Sequence, residues 1–125
     1  MLGGKDAAAT LAVSDMEQAR DFYENTLGLT LQQEVPGATL YKSGNSVVLV
    51  YPSEYAGTNR ATAASWAVGE DFDTIVQDLQ TKGVTFERYD NLPETTRDGD
   101  VHISGEFKAV WLKDPDGNIL NLTNM

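Results

Sequence analysis

One histidine, His102, and no cysteine occur among the 125 residues of the chain. Without thiols there is no disulfide, no zinc–thiolate site and no cysteine nucleophile. A Ser-His-Asp arrangement would need His102 packed beside a nucleophile, and nothing in the sequence places one there. Asp98 and Asp100 are paired acids, but they sit among Thr, Gly and Asp residues, in a stretch that reads as solvated rather than tuned for proton transfer. No glycine-rich loop cradles a phosphate, and no loop has the ligand spacing of a calcium or magnesium site. Recognition chemistry is better represented. Phe107 and Trp111 offer flat surfaces for stacking, and the Trp111 indole adds one hydrogen-bond donor. Tyr89, Asp90 and Glu106 supply polar or negative character at a rim.

The formal net charge is −10. Such a surface repels phosphate backbones and anionic membranes and attracts cations, so neither nucleic acid nor membrane is an expected partner. Solubility by itself also accounts for this charge. With 41% hydrophobic and 22% charged residues, the composition is that of a folded globular chain. Its length fits one domain with a real core. No segment approaches the roughly 20 apolar residues that cross a bilayer. The first residues, Met1-Leu-Gly-Gly-Lys-Asp6, lack the apolar core of a signal peptide, and the expected location is the cytoplasm.

The elements that must position these side chains repeat. Ala7-Ala-Ala-Thr-Leu-Ala-Val13 is followed by a helical stretch and Gly28-Leu-Thr-Leu31; Thr62-Ala-Ala-Ser-Trp-Ala-Val68 is followed by a helical stretch and Gly83-Val-Thr-Phe86. The two copies are offset by 55 positions and predict one strand–helix–strand unit used twice. Ser14 and Glu17 have the spacing of a capping box. Met16, Ala19, Phe22, Tyr23 and Leu27 form one apolar helix face, as do Phe72, Ile75, Val76 and Leu79, and Gly28 and Gly83 end the two helices. Ala38–Lys42 and Ser46–Tyr51 predict a hairpin around Ser43-Gly-Asn45. Phe107–Lys113 and Ile119–Thr123 predict another around Asp114-Pro-Asp-Gly-Asn118. Pro52–Arg60 is a polar linker, and Asp90–Gly105 reads as a mobile loop or lid.

Strand alternation then sorts the side chains. Leu11, Val13, Trp66, Val110 and Leu112 face the helices. Ala8, Thr10, Ala12, Ala63, Ser65, Ala67, Phe107, Ala109, Trp111, Ile119 and Asn121 face a cleft with one wall of small residues and one of aromatics. The candidate ligand-binding residues are Thr10, Ser65, Phe107, Trp111, Asn121 and His102. A lone histidine is more often structural than ligand-bearing, and Phe107 and Trp111 also suit a core or a dimer interface.

Leu11-Ala-Val-Ser-Asp15, Ala19-Arg-Asp-Phe-Tyr23 and Leu27-Gly-Leu29, followed at the other end by Trp111-Leu-Lys-Asp-Pro-Asp-Gly-Asn118-Ile-Leu, resemble the vicinal oxygen chelate superfamily of glyoxalases, bleomycin-resistance proteins and dioxygenases. The resemblance covers about residues 7 to 123. It implies an α+β fold in which two tandem βαβββ modules, about 7–57 and 61–125, form a curved mixed sheet around a cleft within a single domain, 1–125. Enzymes of this kind hold one divalent metal through His, Gln or Glu from both halves. The matching positions here are Ala8, Ala63 (Thr62 or Ala64 with a slip of one), Asn121 and a strand, Ser46–Tyr51, without His or carboxylate. The resemblance therefore implies a member without the metal ligands, without a cofactor and with no catalytic residue to name.

Three functions follow from that resemblance. The first is a metal-independent homodimeric protein that sequesters a drug-like or cationic small molecule. The second is a lyase or oxidoreductase of the glyoxalase or dioxygenase type with an atypical metal site. The third is a dimeric structural subunit with a vestigial cleft.

Overall fold

The computed structural model describes residues Met1–Met125. The first half holds β1 (Ala9–Val13), α1 (Met16–Arg20) with a π-helical continuation over Asp21–Thr26, β2 (Thr30–Val35), β3 (Ala38–Ser43) and β4 (Ser46–Pro52). The second holds β5 (Thr62–Ala67), a 3-10 turn over Gly69–Asp71, α2 (Phe72–Thr81), β6 (Thr96–Asp98), β7 (Val101–Ser104), β8 (Phe107–Lys113) and β9 (Ile119–Thr123). These strands make two mixed sheets in the orders β1-β4-β3-β2 and β5-β9-β8-β7-β6. In each, the strand before the helix runs parallel to the last strand, and the other pairs are antiparallel. β1 lies beside β5, so the sheets meet at their first strands.

One core serves both halves. Leu11, Val13, Val48 and Val50 from the first sheet pack in the same cluster as Val110, Leu112, Leu120 and Leu122 from the second, under Tyr23, Phe72, Val76 and Leu79 of the helices. This is the alternation expected of strands with one buried face. Trp66 packs against this cluster from β5, on the core side.

Three local expectations are corrected. The N-cap of α1 is Asp15, not Ser14: its carboxylate accepts the Glu17 and Gln18 N–H groups, so no Ser14–Glu17 capping box forms. The Ser14 hydroxyl instead donates to Asp116, 2.6 Å away in the turn between β8 and β9. Gly83–Phe86 is not a strand. The chain meets the sheet only at Glu87, through a single bridge to Trp111 in which the Glu87 N–H donates to the Trp111 carbonyl at 2.8 Å. Asp90–Gly105 is not a plain loop either, because it carries the β6–β7 hairpin, turned at Gly99-Asp100 with Gly99 at φ 60°. All three changes have physical causes. Asp15 is the better-placed oxygen once Ser14 is occupied by Asp116. The free edge of β8 is divided, with β7 pairing along Phe107–Ala109 and Glu87 taking the Trp111 end. The two-residue loop Gly99-Asp100, with glycine at its positive-φ position, closes the hairpin that fills the edge.

Candidate functional site

The face of the second sheet turned away from the helices carries the candidate residues. Ser65 on β5, Asn121 on β9 and Trp111 on β8 are successive register partners, so they form one row across three strands. His102 on β7 pairs with Ala109, two residues from Trp111 on the same face. Its ring meets Trp111 at 4.9 Å between centroids and 88° between planes. Tyr89, brought back over the sheet after the Glu87 bridge, closes the group. It lies 5.4 Å from Trp111 at 82° and 5.7 Å from His102. Edge-to-face contacts of this kind match the positive ring edge to the negative ring face.

Two hydrogen bonds fix the cluster. His102 Nε2 accepts the Tyr89 backbone N–H at 2.9 Å, and Trp111 Nε1 donates to the Thr62 hydroxyl at 3.1 Å. With Nε2 as acceptor, the neutral imidazole carries its proton on Nδ1, which is buried and has no hydrogen-bond partner. Burial, and then the charge of Glu87, push the Tyr89 phenol above its ordinary value. At the exposed edge, the hydrogen bond and charge of Arg97 hold the Asp90 carboxyl below its ordinary range.

The predicted residues are therefore only partly assembled. Ser65, Asn121, Trp111 and His102 share one face. His102 is 2% exposed and sits beneath the rings rather than at the surface. Asn121 is buried and donates to the Val110 carbonyl at 3.2 Å. Phe107 lies on the same face at the far end of β8, 39% exposed. Thr10 is exposed on β1, its hydroxyl directed to the Ala8 carbonyl at 3.3 Å. Thr62 was not among the candidates for stacking support. A register shift between Thr62 and Ala64 brings it within reach of Trp111, and no composition or spacing signal marks that shift.

The positions at which the resemblance puts metal ligands do not supply them. Ala8 and Ala63 have no donor atom, the Asn121 amide is engaged, and β4 contributes no acid or imidazole. No three His, Cys, Asp or Glu side chains converge anywhere in the chain. The side chains present do not fit a metal of the His and carboxylate type.

With this geometry, the sequence matches the glyoxalase/bleomycin resistance protein/dioxygenase superfamily over residues 7–122, and the chain belongs to that superfamily. Its fold is similar to that of lactoylglutathione lyase from Agrobacterium tumefaciens, with 15% identity, a TM-score of 0.70 and coverage of 98% of this chain and 95% of that one. It is also similar to the fosfomycin resistance protein FosX from Mesorhizobium loti, with 15% identity, a TM-score of 0.69 and coverage of 100% and 94%. The oxidase ChaP-H2 is a third such structure, with 19% identity, a TM-score of 0.70 and coverage of 98% and 94%. No curated protein matches the chain. A lyase, a resistance protein and an oxidase share this scaffold, so the side chains of the site must decide the function. No helix of the chain is long and apolar enough to cross a membrane.

Proposed function

We propose that this chain is a metal-independent small-molecule binding protein that takes a flat, cationic, drug-like ligand on the face built around Trp111. The observation that carries this reading is the fixing of a part-exposed indole. Thr62 holds its N–H, while His102 and Tyr89 stand at right angles to its plane. An aromatic side chain immobilised before the ligand arrives loses little entropy on binding, and a cation over its face gains from the ring quadrupole. The net charge of −10 adds long-range attraction for such a ligand. Ser65 and the remaining acceptor of Asn121, in the same row, supply the few polar contacts that orient a ligand on an otherwise apolar surface.

The enzyme reading requires a metal for which the matching positions offer no ligand set. A homodimer belongs to the proposal, because a second copy would cover the exposed Phe107 ring at the far end of β8 from the aromatic cluster. Sedimentation velocity tests it, with a concentration-independent dimer expected.

A thermal-shift panel tests the binding function. Flat organic cations such as proflavine raise the melting temperature by mass action, while nickel, zinc, manganese and iron(II) leave it unchanged. A clear shift with one of these metals, and none with any organic cation, would replace the binder by the enzyme reading.

A further inference from the structure

On the opposite side of the second sheet, between the end of the first helix and α2, lies a cavity of about 260 Å³. Its floor is Leu112, Leu120 and Leu122, and its walls include Leu27, Trp66 and Ile75. An engineered void of about 150 Å³ with such a lining holds benzene. The space here suits a molecule of one or two fused rings.

The internal repeat explains why the space exists. The two helices begin at Met16 and Phe72, 56 positions apart, so Ala19 and Tyr23, on the core side of the first, correspond to Ile75 and Leu79 of the second. Tyr23 is wholly buried, stacks on Tyr41 at 6.2 Å and plugs the junction of its helix with the core. Leu79, the smaller side chain at that position, leaves part of the equivalent volume unfilled, and Asp78 beside it stands at the mouth with a side chain 62% exposed.

The indole and the charged groups around the cavity are already paired. Trp66 Nε1 donates to the Ser43 hydroxyl at 2.8 Å. Lys82 donates to the Asn25 and Thr26 carbonyls at 3.3 and 3.5 Å and lies 3.6 Å from the Asp78 carboxylate. The two charges at the mouth face each other and only the neutral hydroxyls of Thr26 and Ser43 remain as donors, so an ion entering would shed its water with little compensation.

We infer that this cavity is a second binding site, separate from the Trp111 face, for a small uncharged flat apolar molecule. It is reached past Asp78 and Lys82 and does not depend on the function proposed for the other face.

Indole is a suitable probe, with tryptamine and indole-3-acetate as its cationic and anionic counterparts. Methyl proton–carbon spectra of the whole protein report the site directly. Indole shifts the methyls of Leu27, Ile75 and Leu122 saturably, and both charged relatives bind at least tenfold more weakly. Leu79→Tyr, which restores the plug of the first repeat, and Ile75→Trp, which fills the space from the wall, each weaken indole at least tenfold. The same spectra show that each variant is folded, and either variant suffices if the other is not. Three results overturn the inference: no saturable shift with indole, equal binding of the charged relatives, or shifts centred on Ala109 and Ile119 of the opposite face.

Discussion

The Tyr23 hydroxyl donates to the Asp114 carboxylate at 2.7 Å, across 91 positions of sequence, and so ties the first recognisable motif of the chain to the last. Asp114 is buried and also accepts the Asp116 N–H, the Asn118 N–H and the Asn118 side-chain amide. Asn118 in turn donates to the Ala12 carbonyl at 2.7 Å, at the end of β1. The Asp-Pro-Asp-Gly-Asn turn is thus a junction between the halves as well as a hairpin. Removing one donor from a buried ionised acceptor costs about 1–3 kcal/mol. Tyr23→Phe is expected to lower the unfolding free energy by that amount in urea titrations, with the m-value unchanged.

The same bond sets a dependence on alkaline pH. Burial first, and then the Asp114 charge, hold the Tyr23 phenol far above its ordinary value. Burial and the hydrogen bond to Glu24 push Tyr41 up to about 12. A phenol that ionises near pH 10 when unfolded but stays neutral when folded gives the unfolded state fewer protons above pH 10. Stability is therefore intact below pH 10 and falls above it, by about 1.4 kcal/mol per pH unit for Tyr23 alone. Urea unfolding at pH 9, 10 and 11 should show the fall, and Tyr23→Phe should make it shallower. A flat profile would mean that Tyr23 is not sealed in.

Much of this scaffold was legible in the sequence because local signals agreed with the fold. The Val13–Gly28 and Val68–Gly83 spacings define the repeat, and Gly28 and Gly83 adopt the left-handed conformation expected of helix ends, at φ 75° and 89°. The β8–β9 hairpin has the predicted limits. The Ser14 cap and the Gly83–Phe86 strand failed because distant partners decide them. Asp116 claims Ser14, and the edge of β8 is shared between Glu87 and β7. At the candidate site, alternation put Ser65, Asn121 and Trp111 on one face. It cannot reveal that Tyr89 folds back onto Trp111, or that His102 is the buried support of both rings.

Gly57, in the linker between the halves, is at φ +77°, and a Cβ there would fall on the carbonyl oxygen of Asp116. Backbone that cannot yield and a left-handed residue act together. Gly57→Ala is expected to cost about 2–4 kcal/mol. Gly99→Ala, at φ +60° with nothing near its Cβ, should cost only about 1–2 kcal/mol. Thermal unfolding of the two variants side by side checks the difference. Equal losses would mean that the linker does not pack on the β8–β9 turn.

His102 supports the site from below. His102→Ala deletes a buried ring and strands the Tyr89 N–H, for an expected loss of about 2–4 kcal/mol. Tyr89 and Trp111 lose their common neighbour as well, so the Trp111 emission, read in a Trp66→Phe background, should shift to longer wavelength. An unchanged spectrum would place the imidazole outside the cluster.

The most direct measurement is a fluorescence titration of chelator-treated Trp66→Phe protein with proflavine, in which Trp111 is the single reporter. Saturable quenching that is unaltered by added nickel, zinc or manganese, and at least tenfold weaker for a Thr62→Val variant that frees the indole, is the predicted result. Quenching that appears only after a metal is added, or that is the same when Thr62 no longer holds the indole, would contradict metal-independent binding at Trp111.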